Sequence, residues 1–264
     1  MGKDLGKPVI LIINFGTLNE EGMRDQENID KMVTARYPDH EVRWAIASGV
    51  VRDGLKKAGQ TTLFARKTPV MNLADTYADL RKQGRRDVAV QFLFTVPGSD
   101  GTDDLMMAAD GLNVEYGYAL LAPPDNIARV TKALEPRFSG KDTVTIIFTN
   151  GNDTVPIRNW PLIQMDRYLR KHYKNVFLTT LGGKPGVEAA AADARKSGLK
   201  KVKYIPFYFV VGKNAIYNIM GDTPNTLKSK VGLEASIEPG LAWDKKVMSI
   251  WMESIDWSLA KFSR

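Results

Sequence analysis

The residues that could carry chemistry lie in short loops that each follow an apolar run. Two of these loops are rich in glycine and polar side chains, Asn150–Asp153 and Gly182–Pro185, and a third, Gly212–Asn214, ends in a lysine and an amide. Glycine-rich turns can cradle phosphates, but neither glycine-rich loop follows the dinucleotide-binding or P-loop pattern. On spacing alone, the loops predict plain strand-to-helix turns rather than a nucleotide site.

The chain is poor in residues that bind metals or act as nucleophiles. It has no cysteine, which excludes thiolate catalysis, zinc–cysteine sites and iron–sulfur clusters. Its two histidines, His40 and His172, have no partner at the spacing of metal ligands and do not follow a strand, so no Ser-His-Asp triad is indicated.

The charge balance favours anionic partners. The 264 residues include 37 Lys and Arg against 30 Asp and Glu, for a net charge of +7. The basic residues are scattered, so we expect no nucleic-acid partner. No apolar run is long enough for a transmembrane segment, and no signal peptide is visible. The compartment is left open: cytoplasmic, or periplasmic or membrane-anchored if a leader has been removed.

The secondary-structure elements that precede these loops must position them. The hydrophobic pattern of the sequence predicts that strands and helices alternate along the chain. We predict strands at 8–14, 41–46, 87–95, 143–149, 175–181 and 201–211. We predict helices around 49–57, 72–83, 161–172 and 187–196, one that stops before Pro38, and a C-terminal one. Alternation of this kind is typical of an α/β fold with parallel sheets covered by helices on both faces.

The two halves of the chain repeat this logic. Strand 8–14 corresponds to 143–149, and strand 87–95 corresponds to 201–211. We therefore predict two similar doubly wound parallel-sheet lobes related by an old duplication. Ligands of such sheets bind beyond the carboxyl ends of the strands, which places the expected site in a cleft between the lobes.

Three regions are predicted along the chain. An N-terminal α/β lobe spans 1–125, a C-terminal α/β lobe spans 126–245, and a C-terminal helix at 246–264 packs across the lobes. The apolar stripe of this helix is also suited to a contact between chains, so a homo-oligomer is left open.

Five segments, in chain order, form a pattern beyond their periodicity: Ile12–Thr17, Tyr37–Ser48, Val90–Gly98, Asn175–Pro185, and Val210–Ala215 with Met220–Asp222 after it. Together they resemble the class II chelatases, specifically the anaerobic sirohydrochlorin cobaltochelatases of cobalamin synthesis. The family's versions read Ser-Phe-Gly-Thr in the first segment and Val-Ala-Gly-Asp-His-Ala in the last. The resemblance covers nearly the whole chain and implies the chelatase fold.

The chain departs from that family at four positions. The resemblance implies metal-binding histidines where this chain has Asn150 and Asn214. It implies a glutamate at Gly182 and a further histidine at Phe94. Imidazoles and a carboxylate bind a divalent metal and accept pyrrole protons, whereas an amide takes up no proton near pH 7. Asn150 and Asn214, with Asp153 as a proton donor, are the candidate catalytic positions, and no metal site is predicted.

A tetrapyrrole still suits these loops. The chain lacks the carboxylate at Gly182 and has Lys184 and Lys213, which favour a ligand with several carboxylates. Phe15, Phe94 and Tyr217 are candidate aromatic walls for its apolar ring. The predicted tetrapyrrole-binding residues are Phe15, Gly16, Thr17, Phe94, Gly182, Lys184, Lys213 and Tyr217. The alternative interpretation is that the cleft is retained from the family but binds no ligand, and that the lysines lie on its surface by chance.

Three functions follow from the resemblance. The first is a chelatase that inserts cobalt or iron into a tetrapyrrole such as haem, or removes it. The second is a haem or porphyrin carrier without turnover, for haem or cobalamin-precursor uptake. The third is a subunit of another chelatase. Haem or another tetrapyrrole is the expected ligand, and the missing histidines favour binding over cobalt insertion of the family's type.

Overall fold

The computed structural model describes residues 6–97, 109, 111–138 and 142–263. They divide into two compact units, each with a four-stranded parallel sheet. The first unit holds the described residues up to Phe94, those from 109 to Leu120, and those from Trp251 onward. The second holds Thr95–Pro97 and Leu121–Ile250. Gly98, which closes one of the matched segments, lies outside the described residues.

The first unit alternates strands and helices as predicted. Its elements are β1 (Val9–Asn14), α1 (Glu20–Arg36), β2 (Val42–Ile46), α2 (Gly49–Lys57), a hairpin of β3 (Thr62–Leu63) and β4 (Thr68–Pro69), α3 (Leu73–Lys82), β5 (Asp87–Phe92) and β6 (Asn113–Tyr116). The parallel sheet has the order β2-β1-β5-β6. Every residue of β1 is buried, which requires cover on both faces of the sheet.

Each face of this sheet has its own packing. Leu11 and its alternate neighbours pack with Tyr77 of α3 in one apolar cluster. On the other face, Trp44 of β2 donates its indole N–H to Asp30 of α1 at 2.8 Å. Arg66 binds both carboxylate oxygens of Asp30 and so ties the hairpin loop to α1. Asp30 is buried, and two donors from different elements hold it in place.

The second unit repeats the arrangement. Its elements are α4 (Asn126–Leu134), β7 (Thr143–Gly151), α5 (Trp160–His172), β8 (Val176–Gly182), α6 (Val187–Lys196), β9 (Lys201–Pro206), α7 (Lys213–Met220), α8 (Leu227–Val231) and β10 (Glu234–Ile237). Its order, β8-β7-β9-β10, is that of the first sheet with β7 in the place of β1 and β9 in the place of β5. The predicted fold class and the correspondence of the two halves are confirmed.

Two strands end earlier than predicted. β9 stops at Pro206 rather than at residue 211: the N–H of Phe207 still donates to Phe148 of β7, but the carbonyl of Tyr208 then accepts from Leu241, outside the sheet. β5 stops at Phe92 rather than at residue 95, since the carbonyl groups of Phe94 and Thr95 accept hydrogen bonds from Leu120 and Leu121 instead. In both cases the residues beyond the shortened strand form a loop at the carboxyl edge of the sheet.

The C-terminal helix α9 spans Lys245–Leu259 and runs in sequence from the second unit into the first. Its apolar stripe is buried, and Trp251 donates its indole N–H to the carbonyl of Phe92 at 3.1 Å. The packing of this helix across the lobes and the three domain limits stay predictions. Among the described residues, none of the helices has the length and apolarity that a membrane span requires.

Gly151, at the end of β7, allows an unusually close approach between two strand ends. Its φ is +68°, and a Cβ atom built on it would lie 2.3 Å from the carbonyl oxygen of Gly182, its partner in register on β8. A side chain there would meet both backbone strain and a steric clash. Gly198 has a similar φ of +75° but faces open space.

We therefore expect Gly151→Ala to destabilise the protein more than Gly198→Ala. The Gly198 change adds left-handed strain alone, about 1 kcal/mol. The Gly151 change adds the clash with Gly182 and Thr180, for a total of about 2–4 kcal/mol. Denaturant unfolding of the two variants, followed by circular dichroism, measures the difference. Equal losses in the two variants would show that the strand ends separate easily.

Candidate functional site

Asn150 lies at the carboxyl edge of the second sheet with its side chain exposed. Its Oδ1 atom accepts a hydrogen bond of 2.8 Å from the hydroxyl of Tyr208. Burial raises the pKa of Tyr208, and a hydrogen bond with Thr149 opposes this rise only in part. Tyr208 therefore stays protonated and donates to Asn150 throughout the neutral pH range.

Asn159 holds the two glycine-containing loops together. It is buried, and its Nδ2 donates to the carbonyl oxygens of Asn152 and Gly182 at 2.8 and 3.0 Å. Its Oδ1 accepts from the backbone N–H of Asn152 at 2.8 Å. One amide thus fixes the loop after β7 against the end of β8. Sequence reasoning missed Asn159, because its place before a helix indicates only a cap, yet its side chain makes no cap bond.

Gly182 ends β8 and lies beside the Asn150–Asp153 loop. A Cβ atom at Gly182 would be 3.2 Å from the backbone nitrogen of Asp153 and 3.4 Å from the carbonyl oxygen of Asn150. The structure therefore brings three of the predicted positions together. A side chain at 182 would enter this group of loops after a shift of a few tenths of an ångström. Asp153 itself is exposed.

The other predicted positions of the second unit lie on or before α7, or just after β8. Lys213 and Asn214 are exposed at the first two positions of α7. Tyr217, one turn later, leaves 53% of its surface exposed. Lys184 is exposed two residues beyond β8 and forms no ion pair with the residues that the structure describes.

Large apolar side chains are exposed at the same edge of the second sheet. Leu181 of β8 is 43% exposed, and after β7 Ile157 and Trp160 are 73% and 51% exposed. Tyr217 belongs to the same group by its place after β9. Exposed apolar groups on the segments at the carboxyl edge of an α/β sheet are typical of a surface for an apolar ligand. Ile157, Trp160 and Leu181 were not predicted from the sequence.

The first unit presents Phe15 in the equivalent place, directly after β1, with 70% of its surface exposed. The next residue, Gly16, has a φ of +93°, and a Cβ atom there would lie 2.5 Å from Ile46. Thr17 is buried and its hydroxyl contacts Asn19, so it orders the loop before α1. Phe15 is thus the exposed aromatic side chain of this loop, and Leu18 is exposed in the same loop.

Phe94 has a different setting from Phe15. Its ring stacks on Phe92 with 5.0 Å between centroids, and it packs against the apolar core of the first sheet. Only part of its surface is accessible. A ligand role for Phe94 stays a prediction, as do those of Gly16 and Thr17.

Metal-binding side chains are scattered in the described ranges. Within residues 6–97, 111–138 and 142–263, no three His, Asp or Glu side chains gather in an arrangement that could hold a metal ion. The ring of His40 hydrogen-bonds to the carbonyl of Pro8 at 2.8 Å, and His172 packs on Tyr168 with 4.2 Å between ring centroids. The edge of the second sheet therefore offers amides, lysines and apolar groups.

Known proteins share this architecture. A sirohydrochlorin cobaltochelatase, CbiKC, of Nitratidesulfovibrio vulgaris (strain Hildenborough) is 26% identical over 262 residues, which cover 94% of this chain and 89% of the relative. The structure of SirB from Bacillus subtilis with Fe3+ superposes with a TM-score of 0.65 at 12% identity, covering 97% of both chains.

A second solved structure agrees. CbiX, described as the terminal enzyme for biosynthesis of siroheme in denitrifying bacteria, superposes with a TM-score of 0.56 at 15% identity, over 95% of this chain and 99% of the other. At this identity the two structures establish the fold. The sequence model of the cobalt chelatase (CbiK) family matches residues 8–259. The chain therefore belongs to the cobalt chelatase (CbiK) family.

Proposed function

We propose that this protein binds a carboxylated tetrapyrrole and changes its metal content, by insertion into or removal from a tetrapyrrole such as haem. The observation that carries the proposal is the edge of the second sheet. Leu181 and Tyr217 are exposed there, Lys184 follows Leu181 by three residues, and Lys213 precedes Tyr217 by one helical turn; neither lysine has an ion-pair partner among the residues that the structure describes. A tetrapyrrole has an apolar ring with carboxylates at its rim, and this combination of groups complements both.

The chemistry of metal exchange defines what the protein must supply. Insertion of a divalent metal releases two protons from the pyrrole nitrogens, and removal of the metal returns two protons to them. Insertion therefore needs a base, whereas removal needs an acid. Asn150 and Asn214 cannot accept a proton near neutral pH, which disfavours their use as the base. Asp153, in the loop after Asn150, can pass protons from water towards a bound ring.

Iron removal from haem is therefore the direction that we favour. It does not depend on a set of protein ligands that takes up the metal first. The exposed apolar side chains can hold the ring while two protons, on two of the four pyrrole nitrogens, replace the iron. The iron is the cargo of this reaction, and it leaves to water or to an acceptor.

The carrier function is the second candidate. Asn150, Gly182 and Asn214 replace three metal-binding side chains implied by the family resemblance, and amides bind ligands without taking up protons or metal. A carrier needs the apolar and cationic groups of the edge but no proton donor. The two functions therefore differ in the fate of the bound metal.

A visible-absorption titration with haemin, followed over hours, tests the proposal. We expect a shifted and saturable Soret band, because the apolar groups and lysines hold the ring. Its slow change to the spectrum of the metal-free porphyrin indicates iron removal, and a stable band indicates a carrier. No spectral change with haemin, with metal-free porphyrin or with sirohydrochlorin would contradict tetrapyrrole binding and favour a subunit role.

Asp153→Asn is the matched variant for this titration. It keeps the size of the side chain and removes its acid. Slower release of iron with unchanged haemin affinity supports the role of Asp153 as proton donor. An unchanged rate contradicts that role.

The lysines are expected to set the affinity. Lys184→Ala and Lys213→Ala should each weaken haemin binding by roughly 3- to 10-fold, since each removes an exposed cation opposite a ligand carboxylate. The effect should shrink at high salt. Lys196→Ala is the control, because Lys196 ends α6 at the amino edge of the same sheet. A loss in the control equal to that of the two variants would indicate a general charge effect.

Restoring the metal-binding side chains should restore metal binding. The triple variant Asn150→His/Gly182→Glu/Asn214→His is expected to bind Co(II), since two imidazoles and a carboxylate suit this ion. Gly182 can take a side chain after only a small shift of the Asp153 and Asn150 backbone. Calorimetric titration with Co(II) measures the gain, with Gly182→Glu alone as the control. A folded triple variant that binds Co(II) no better than the control would contradict this account of the site.

A further inference from the structure

The two ends of the Asn150 amide are in different environments. Its Oδ1 accepts the hydroxyl proton of Tyr208 at 2.8 Å. Its Nδ2 makes no hydrogen bond to the residues that the structure describes, and the side chain is exposed. The tyrosine thus selects one of the two orientations that an amide can adopt, and the NH2 group faces outward.

Tyr208 is itself held firmly. It lies two residues beyond β9, which ends at Pro206, and its ring lies 6.2 Å from the ring of buried Phe148. Thr149, also buried, hydrogen-bonds to its hydroxyl. The hydroxyl therefore has two partners: it hydrogen-bonds with Thr149 and gives its own proton to Oδ1 of Asn150, which sets the direction of the bond to the amide.

This orientation determines what Asn150 can bind. An outward NH2 group donates hydrogen bonds and carries a partial positive charge, so it attracts an oxygen acceptor and repels a metal cation. The reverse orientation would present an oxygen, which binds cations and repels carboxylates.

We propose that Tyr208 is a positioning residue that holds the Asn150 amide with its NH2 group outward, so that Asn150 binds a carboxylate oxygen of the tetrapyrrole. The inference rests on the proposed function and deepens it. Where the family resemblance implies a metal-binding histidine, this chain has Asn150, and we assign to Asn150 the recognition of a carboxylate at the rim of the tetrapyrrole. Asn150 contacts the ligand, whereas Tyr208 acts through Asn150.

The test compares haemin with haemin dimethyl ester, in which both carboxylates are esterified. The measured quantity is the ratio of the two dissociation constants. Tyr208→Phe removes the donor and frees the amide to rotate, so we expect the preference for the free acid to fall by about 3- to 10-fold, as for the loss of one hydrogen bond to a charged group. Asn150→Ala should lower it by the same factor, and Asn150→Asp by more, since a carboxylate repels the ligand's own.

The ratio of the two dissociation constants distinguishes a loss of Asn150 positioning from a general structural defect of the variant. A distorted site weakens the binding of acid and ester alike, whereas lost recognition of a carboxylate weakens the binding of the acid alone. Tyr204→Phe is the matched control, since Tyr204 lies on β9, is fully buried, and its hydroxyl has no partner among the described residues. We expect this variant to keep the wild-type ratio.

The possible results distinguish this inference from the function on which it rests. If the wild-type protein binds neither of these two ligands, nor metal-free porphyrin or sirohydrochlorin, the proposed function fails. If it binds both and Tyr208→Phe leaves the ratio at the wild-type value, tetrapyrrole binding stands and the positioning role of Tyr208 is overturned. A fall in the ratio in Tyr208→Phe and Asn150→Ala, but not in Tyr204→Phe, supports the inference.

Discussion

The close approach of the ends of β7 and β8 is the constraint on which the candidate site depends. Gly151 makes this approach sterically feasible, and the buried amide of Asn159 bonds to the backbone on both sides of it. Without this contact, the loop after β7 would have no fixed position relative to Gly182. Asn150, Asp153 and Leu181 all lie within three residues of the contact, so it fixes the backbone from which their exposed side chains project.

The fixed backbone matters for the position where this chain has Asn150 in place of the family's histidine. An amide on a mobile loop can rotate and bind many partners weakly, whereas Asn150 is held between a fixed backbone and the hydroxyl of Tyr208. The scaffold of a metal-handling family thus presents hydrogen-bond donors, with Lys184 and Lys213 in the adjoining loops. Under the proposed function, these donors and cations favour the carboxylates of a ligand over a free divalent cation, because both repel positive charge.

The sequence alone predicts the framework well and the site only in part. Continuous apolar runs such as Val9–Asn14 predict strands buried on both faces, and Gly198 marks the end of α6, because these signals are local. The roles of Asn159 and Tyr208 depend on contacts across the sheet. The apolar run through residue 211 predicts strand for Tyr208, whereas β9 ends at Pro206 and the hydroxyl of Tyr208 bonds to Asn150. Short polar segments such as β10 carry too little periodicity to predict.

The shared strand order of the two units shows how the same backbone device serves two purposes. β1 and β7 are equivalent central strands, and at the carboxyl end of each an exposed residue stands directly before a left-handed glycine, just after the last residue of β1 and within the last two residues of β7. The exposed residue is Phe15 in the first unit and Asn150 in the second. The glycine turn fixes where the preceding side chain lies, but not its chemistry. One copy of the turn therefore presents an apolar ring and the other a hydrogen-bonding amide, although the backbone device is the same in both.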